Sequence, residues 1–359
     1  MKKNPWILYV IAAIALLALP LGLGHFGNAW VRIVDTALLY VLLAVGLNIV
    51  VGYAGLLDLG YVAFFAVGAY LYALLSSAHL SNTFAWIGAM YPNGLHTPIL
   101  VILPLAAALA AFFGMLLGAP TLKLRGDYLA IVTLGFGEII RVFLNNLDHP
   151  VNITNGPKGI SGIDAFQIFG VDMSRPFKIG GMSLDSVDMY YYLFLILVVF
   201  SVILSHRLAL SRVGRAWMAI REDEIAAKAM GINTRNLKLL AFGMGASFGG
   251  VSGALFASFQ GFVSPESFTL MESVMIVSMV VLGGLGHLPG VVLGALLLAA
   301  LPEVLRYVAS PLQAFTGGRL DASILRQLLI ALAMIVIMLL RPRGLWPSPD
   351  HGKSLQANN

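Results

Sequence analysis

Long apolar stretches separated by short polar ones run along the whole chain. There are ten of them, at 6–24, 35–51, 61–78, 98–118, 128–147, 189–206, 237–258, 271–285, 290–308 and 323–340. A helix needs about 20 apolar residues to cross the roughly 30 Å hydrocarbon core of a bilayer, and each stretch is near that length. The pattern predicts an all-α, polytopic membrane bundle of about ten transmembrane helices.

Two pairs of neighbouring segments are separated only by glycine-rich breaks, at 52–60 and 283–290. A break of this kind is either a tight turn or an unwound stretch that lines a cavity inside the bundle. Both interpretations stay open from the sequence alone. The number of spans accordingly ranges from eight to ten.

Composition argues against several other classes of protein. Hydrophobic residues make up 59% of the chain and charged residues only 11%, whereas a soluble domain usually carries about 25% charged residues. A soluble globular enzyme, a coiled coil and a disordered chain do not fit these values. The chain has no cysteine, which excludes disulfides, zinc–thiolate sites and cysteine nucleophiles.

The positions of Lys and Arg predict the orientation in the membrane. With the N-terminus in the cytoplasm and ten spans, fourteen of the 22 Lys and Arg residues fall in cytoplasmic segments, as the positive-inside rule requires. The net charge of +5 then reflects topology, and no nucleic-acid partner is expected. The cytoplasmic residues are Lys2, Lys3, Lys123, Arg125, Arg341, Arg343, Lys353 and the seven from Arg207 to Lys238.

This orientation divides the chain into a single transmembrane domain, 1–346, and a cytoplasmic tail, 347–359, which we expect to be disordered. Both termini are predicted to be cytoplasmic. The longest outer segment, 148–188, is too short for an independent domain and is rich in Gly and Pro, which break any long helix there. We expect it to form a folded cap that contacts a partner on the outer face. A simple connecting loop is the alternative.

Small residues recur at a spacing of four. Between lipid-embedded helices, close backbone approach must supply the packing energy, because apolar side chains gain nothing by leaving lipid. Ordinary bundle packing is the favoured interpretation, and a glycine alone does not indicate a substrate site. The glycines concerned are Gly114 and Gly118, then Gly245, Gly249 and Gly253, then Gly286, Gly290 and Gly294.

Few charges lie inside the apolar segments. A charge at the centre of a bilayer costs roughly 2.5–3.5 kcal/mol on insertion scales, so such residues usually face the bundle interior or a pathway. Glu138 and Arg141 are three residues apart on one helix, and a structural salt bridge is the favoured reading for them. Asp58 lies in a glycine-rich break, where it caps a helix on the simplest reading, and Glu272 lies near an outer end. The four do not form the chain of acidic groups that a proton relay needs.

The segment 207–236 is the longest polar stretch on the predicted inner side. Asp223 is placed to cap a helix, Glu224 and Lys228 to pair within it, and Gly231 to end it in a left-handed conformation. Upstream, Trp217 and Ile220 share an apolar face. A short helix of small residues flanked by bases suits docking into a groove on a cytosolic partner. The alternative is an amphipathic helix lying on anionic lipid.

The usual enzyme signatures are missing from the sequence, and we assign neither catalytic residues nor a metal site. Gly352-Lys353-Ser354 resembles the end of a phosphate-binding loop, but the glycine required five positions earlier is Pro347. We therefore expect this chain to bind no cofactor of its own. If ATP drives the process, another chain must bind it.

Several motifs resemble one family. Ala226-Ala227 followed by Gly231 is similar to the cytoplasmic loop by which permeases of ATP-driven (ABC) importers contact their ATPases, although the downstream part of that loop motif is absent. Further motifs are similar to branched-chain amino-acid permeases of the LivM type, and together they extend over about residues 40–346. They are Gly52-Tyr-Ala-Gly-Leu-Leu-Asp-Leu-Gly60, Gly68-Ala-Tyr70, Leu124-Arg-Gly-Asp-Tyr-Leu-Ala-Ile-Val-Thr-Leu-Gly-Phe-Gly-Glu138, Gly214-Arg-Ala-Trp-Met-Ala-Ile-Arg-Glu-Asp-Glu224, Gln260-Gly-Phe-Val-Ser-Pro-Glu-Ser-Phe268 and Arg341-Pro-Arg-Gly-Leu345.

The resemblance implies an importer of leucine, isoleucine and valine in a bacterial inner membrane. Its partners would be a LivH-type permease, two cytosolic ATPases that bind ATP and Mg²⁺, and a periplasmic amino-acid-binding protein. The residues expected to couple the chain to an ATPase are Arg215, Trp217, Arg221, Asp223, Glu224, Ala226, Ala227, Lys228 and Gly231. The candidates for the translocation path are Gly52, Gly55, Gly60, Glu138 and Glu272.

Two alternatives remain. The same architecture suits the import of urea or a short amide, because related permeases share the glycine-rich motifs. A secondary transporter driven by an ion gradient is a less favoured possibility. It lacks the support of an acidic relay, although ion sites can also use backbone carbonyls.

Overall fold

The structure is a computed structural model that describes residues 5–24, 27–121, 124, 126–168, 171–179 and 182–315, with separate positions between 328 and 346. Within these ranges the chain is a helical bundle, which confirms the predicted fold class. Its helices are α1 Pro5–Gly24, α2 Asn28–Asn48, α3 Val62–Leu75, α4 His79–Thr83, α5 Ala85–Met90, α6 Ile99–Thr121, α7 Asp127–Asn146, α8 Ser186–Leu210, α9 Arg212–Glu222, α10 Glu224–Ala229, α11 Thr234–Gln260, α12 Leu270–Gly283 and α13 Leu288–Phe315.

Some predictions concern residues outside these ranges. The tenth segment, 323–340, is described only at separate positions, and those within it are helical. The orientation of both termini, the tail 347–359 and the loop-like Gly352–Ser354 lie outside the described residues, as do Lys2, Lys3, Lys123, Arg125, Arg343 and Lys353.

In the described ranges, six helices are long and apolar enough to cross a membrane: Asn28–Tyr53, Ile99–Thr121, Ser186–Leu210, Thr234–Gln260, Pro265–Gly283 and Leu288–Leu305. The segments predicted at 6–24, 61–78 and 128–147 are also helical, as α1, α3 and α7. At 14 residues, α3 is shorter than the roughly 20 residues that a full crossing needs.

The two glycine-rich breaks have different structures. After α2, a π-helical turn runs over Ile49–Tyr53, and regular helix resumes only at Val62. This break is therefore an unwound stretch within the bundle. The second break is a short turn, because α12 ends at Gly283 and α13 begins at Leu288.

Helices α2, α3 and α11 form the buried centre, and glycines set their spacing. A Cβ atom added at Gly68 of α3 would lie 1.9 Å from the carbonyl oxygen of Gly250, and one at Gly253 would lie 2.0 Å from that of Phe65. One at Gly245 would lie 2.3 Å from the Val50 side chain in the π-helical turn after α2. These contacts confirm that the glycine stripe serves close helix packing.

One face of the bundle carries the segment 148–188, which forms small antiparallel β pairs with itself and with the chain after α11. The amide of Asp164 donates to the Ser76 carbonyl (2.9 Å), and the Tyr72 hydroxyl donates to the Asp164 carbonyl (3.0 Å). We call this the cap face. Its pairs are β1 Ile160–Ser161 with β6 Phe262–Val263, β2 Gln167–Ile168 with β3 Val171–Asp172, and β4 Phe177–Ile179 with β5 Met182–Leu184.

The pairing of β1 with β6 fixes part of the topology. β1 precedes α8 and β6 follows α11, so both strands lie on one side of the bundle. The chain between them crosses with α8 and returns with α11. The connecting helices α9 and α10 therefore lie at the opposite end, which we call the α10 face.

Candidate functional site

On the α10 face, α9 is fixed to the bundle by its apolar side. Ser211 caps the helix by accepting from the Gly214 amide at 3.2 Å. The Trp217 side chain is fully buried, and its indole N–H donates to the Leu237 carbonyl of α11 at 2.7 Å. Ile220 is buried beside it on the same face. The predicted apolar face of Trp217 and Ile220 is thus confirmed, and α9 has a fixed position against α11.

Helix α10 begins and ends as the sequence predicts. The Asp223 carboxylate accepts from the amides of Ile225 (2.8 Å) and Ala226 (3.0 Å), which makes Asp223 the N-cap. Gly231 adopts a φ of +81°, the left-handed conformation that ends the helix.

The predicted ion pair within α10 is wrong. Glu224 pairs with Lys238 of α11 at 2.8 Å, whereas Lys228 is exposed. The physical reason is burial. The Lys238 side chain is only 7% exposed, and a buried ammonium needs a carboxylate more than an exposed one does. The pair joins α10 to the bundle.

The outer surface of α10 is apolar at its tip. Ile225 is 69% exposed and Met230 is 83% exposed. Ala226 and Lys228 are also exposed, whereas Ala227 is buried. Arg215 projects from the preceding helix and is exposed too. Together these residues form a small apolar projection beside basic side chains.

Arg221, at the end of α9, contacts both glycine-rich breaks. Its guanidinium donates to the Gly52 carbonyl in the π-helical turn at 2.5 Å. A Cβ added at Gly55 would lie 2.7 Å from the Arg221 Cγ, and one added at Gly286 would lie 2.9 Å from its Nη1. The side chain therefore fits into a space that only glycines leave open.

The two breaks also contact each other. The Asn48 side-chain oxygen accepts from the Gly286 amide at 3.0 Å. A Cβ added at Gly52 would lie 2.0 Å from that oxygen and 2.7 Å from the Gly286 nitrogen. We call this cluster of Arg221, Asn48, Gly52, Gly55 and Gly286 the arginine junction. It joins α9, the end of α2 and the turn between α12 and α13.

Of two other predicted path residues, Gly60 packs against α7 and Glu138 belongs to it. A Cβ added at Gly60 would lie 1.9 Å from the Thr133 carbonyl oxygen. Glu138 pairs with Arg141 at 3.1 Å on the partly exposed side of the helix, which confirms the predicted salt bridge. Asp58 accepts from the Gly60 amide at 2.9 Å within the break and does not cap α3. A role of Gly60 or Glu138 in transport stays a prediction.

The fifth predicted path residue, Glu272, lies at a cavity towards the cap face. Its carboxylate accepts from the Tyr40 hydroxyl of α2 at 2.9 Å. The cavity has a volume of about 240 Å³. Polar groups on its wall come from Thr36, Tyr40, Ser267 and Glu272, and apolar ones from Leu39, Leu43, Phe65 and Phe256.

Sequence reasoning missed two residues of these sites. Tyr40 and Asn48 both lie in the long apolar segment that became α2, and each bonds to a residue more than 200 positions away. The sequence signal for both is a polar side chain within an apolar segment, because such a side chain needs a hydrogen-bond partner once it is buried. A reading confined to charged residues does not find them.

Comparison with known proteins gives a consistent family. The model of the family described as "Branched-chain amino acid transport system / permease component" matches residues 30–339. No solved structure matches the chain.

Individual relatives match over nearly the same region. The chain is 42% identical to the high-affinity branched-chain amino acid transport system permease protein LivM of Escherichia coli K12, over 88% of the chain and 70% of that protein. Identity and coverage are the same for LivM of Salmonella typhimurium. The permease protein LivH of Escherichia coli K12 is 24% identical, over 87% of the chain and 92% of LivH.

Proposed function

The chain belongs to the family of permease components of branched-chain amino acid transport systems, and on that premise we propose how it works as the membrane-spanning subunit of an ATP-driven importer of leucine, isoleucine and valine. It forms the translocation path with a second, LivH-type permease in a bacterial inner membrane. It performs no catalysis itself. Two cytosolic ATPases bind ATP and Mg²⁺, and a periplasmic binding protein delivers the amino acid to the cap face.

The arginine junction carries this proposal. The α10 face is the cytoplasmic side, and the apolar tip with Ile225 and Met230 docks into a groove on an ATPase. Movement of the ATPase displaces α10 and α9 together, because the Glu224–Lys238 pair and buried Trp217 make them one unit with the start of α11. Arg221 transmits the displacement to Gly52 and Gly286, since it touches both breaks.

Coupling of this kind needs contacts that differ between two states of the transporter. The π-helical turn Ile49–Tyr53 suits such a change, because π turns occur as local irregularities at functional sites. A shift of the turn by one residue moves the Gly52 carbonyl away from the Arg221 guanidinium and presents a neighbouring carbonyl in its place.

The assembly is tested first by co-purification. The chain is tagged, extracted in mild detergent, and the proteins that accompany it are identified. A second apolar permease and an ATPase with a nucleotide-binding motif are expected. Recovery of the chain alone, with solute movement in vesicles that needs no ATP, would contradict the proposal and favour a secondary transporter.

The role of α10 is tested with two matched glycines. Gly231 and Gly261 both have positive φ angles, of +81° and +66°, and a Cβ added at either meets no atom within 4 Å. A leucine therefore causes similar backbone strain at both sites, but only Gly231 adjoins α10. In the assembled transporter, Gly231→Leu is expected to keep ATP hydrolysis and lose most leucine uptake, whereas Gly261→Leu keeps both. Normal uptake by Gly231→Leu would contradict the role of this helix.

A further inference from the structure

The cavity at Tyr40 and Glu272 lies in the half of the bundle nearer the cap face. It is enclosed by α2, α3, α11 and the start of α12, all of which belong to this chain. A second cavity adjoins it along α2, since Thr36 and Tyr40 line both. Arg32, one turn before Thr36, lines this second cavity and is exposed. The two cavities therefore lead from the cap end of α2 to Glu272.

The carboxylate of Glu272 is the distinctive group of the inner cavity. Its partner is the Tyr40 hydroxyl, and among the described side chains no Lys, Arg or His lies within ion-pair distance of it. A charge inside an apolar segment is costly, so such groups usually serve a pathway or a ligand. The Tyr40 bond also fixes the carboxylate in one orientation towards the cavity wall.

The remaining wall sets the shape of an occupant. Leu39 and Leu43 are buried side chains of α2, and the Phe65 and Phe256 rings contact each other with their centroids 5.2 Å apart and their planes tilted by 54°. The volume of about 240 Å³ exceeds the roughly 150 Å³ of a cavity that holds benzene. A small ligand with one cationic group and a branched aliphatic side chain satisfies both the charge and the wall.

We propose that this cavity is a substrate subsite, in which Glu272 binds the α-ammonium group of the amino acid and the four apolar side chains hold its branched side chain. Arg32 lies about 12 Å from Tyr40 along the helix axis, on the side nearer the mouth. It attracts the carboxylate during entry. The inference rests on the proposed function for the identity of the ligand, and on the cavity itself for its position.

The test uses the assembled transporter in membrane vesicles and the absence of cysteine from this chain. Ser267→Cys places a single thiol on the cavity wall. Glu266→Cys places one on the same turn, at an exposed position, as the matched control. The thiol reacts with a small methanethiosulfonate to form a mixed disulfide, with release of methanesulfinate, and this modification of the chain is followed by mass spectrometry. The ligands are L-leucine, 3-methylbutylamine, which lacks the carboxylate, and 4-methylpentanoate, which lacks the ammonium group.

At ten times their dissociation constants, L-leucine and 3-methylbutylamine are expected to slow thiol modification at position 267 about tenfold, because about nine tenths of the sites are then occupied. At the same concentration as the amine, 4-methylpentanoate is expected to protect far less. At position 266 no ligand protects. Adding Glu272→Gln to Ser267→Cys is expected to weaken protection by the amine about tenfold or more, since a charge-assisted hydrogen bond is lost.

Equal protection by 4-methylpentanoate and the amine, or full protection after Glu272→Gln, would overturn the subsite. ATP-driven leucine uptake by the same single-cysteine variant is measured in the same vesicles. Uptake without protection overturns the subsite and leaves the proposed function intact. Protection without uptake supports the subsite and counts against the proposed function.

Discussion

The two ends of α2 contrast sharply in packing. Near the cap face, Thr36 and Tyr40 are half-buried and border open cavities. Near the α10 face, the residues from Val41 to Tyr53 are all buried, and backbone contacts through glycine leave no room even for a methyl group at Gly46 or Gly52. One helix thus joins a hollow region to a tightly packed one.

The difference matches the two tasks of a transporter subunit. A ligand needs space and a few polar groups in an apolar wall. Transmission of movement needs elements that shift as rigid bodies between discrete packed arrangements, since packed interiors do not deform continuously. The predictions below test the packed end first, where substitutions have the largest effects, and then the hollow end.

The largest effect is expected for Gly52→Val. The new side chain would overlap the Asn48 oxygen and the Gly286 nitrogen, and overpacking of this kind costs about 3 kcal/mol. We expect a lower melting temperature in detergent and no uptake. Gly135→Val is the control, because a Cβ added there meets nothing within 4 Å. Similar melting temperatures for the two variants would show that the junction is not tightly packed.

A second variant removes the ion pair that holds α10. Lys238→Met removes the ammonium group that pairs with the Glu224 carboxylate, which is 20% exposed. A destabilisation of about 2 kcal/mol is expected, below the 3–5 kcal/mol typical of a fully buried pair. Denaturant titration in detergent measures it. Lys228→Met, at an exposed position of α10, should change stability by less than about 0.5 kcal/mol; an equal loss in both would argue against the pair.

Arg221→Lys tests the junction without a change of charge. A lysine lacks the planar guanidinium that reaches between the two breaks. We expect leucine uptake to fall about tenfold, which corresponds to 1.4 kcal/mol, while ATP hydrolysis continues. Arg235→Lys, at an exposed position of α11, serves as the control. Uptake and hydrolysis that fall in parallel in Arg221→Lys would indicate lost assembly rather than lost coupling.

At the hollow end, Tyr40→Phe removes the hydroxyl that bonds Glu272. A hydrogen bond to a charged group contributes about 1.5–3 kcal/mol. Because Tyr40 acts on the substrate only through Glu272, a smaller, fivefold to tenfold change in the uptake constant KM is expected, with a smaller change still in the maximal rate. The exposed Tyr91 provides the control variant Tyr91→Phe. An unchanged KM in Tyr40→Phe would separate this tyrosine from substrate binding.

The smallest effect concerns the cap. The side-chain hydrogen bond to Asp164, followed by that to the Asn93 carbonyl, raises the pKa of His96 above 6.5. Its stabilisation is therefore complete below about pH 6.5 and is lost as the pH rises through the raised pKa. Both groups are largely exposed, so the gain stays below about 1 kcal/mol. Hydrogen-exchange protection factors in residues 91–97, which are corrected for the base-catalysed intrinsic rate, should be higher at pH 6 than at pH 8.5, and His96→Gln should remove the difference.

Hydropathy alone was sufficient to locate the helices of the bundle. Each of them consists of a nearly continuous apolar segment, which either packs inside the bundle or faces lipid. It placed the start of α2 at residue 35 instead of Asn28, since Asn28 and Arg32 lower the local hydropathy although the helix includes both. Local rules also predicted the cap at Asp223 and the left-handed Gly231, which depend on neighbouring residues only.

The rest depends on contacts between distant residues. Glu224 had two possible lysine partners, and the nearer one in sequence was chosen, because the burial of Lys238 is a property of the tertiary structure. The Tyr40–Glu272 bond joins residues 232 positions apart. Arg221 was assigned to coupling by resemblance, but its position between two glycine-rich breaks follows from how three elements meet.

The pairing of β1 with β6 has a further consequence for biosynthesis. Ile160 pairs with Val263 and Ser161 with Phe262, and the ribosome makes the first strand well before the second. Until α8 and α11 have both been inserted, the edge of β1 has no strand to pair with, and an unpaired edge is prone to join other chains. Formation of this strand pair therefore requires that both helices have been inserted in the membrane.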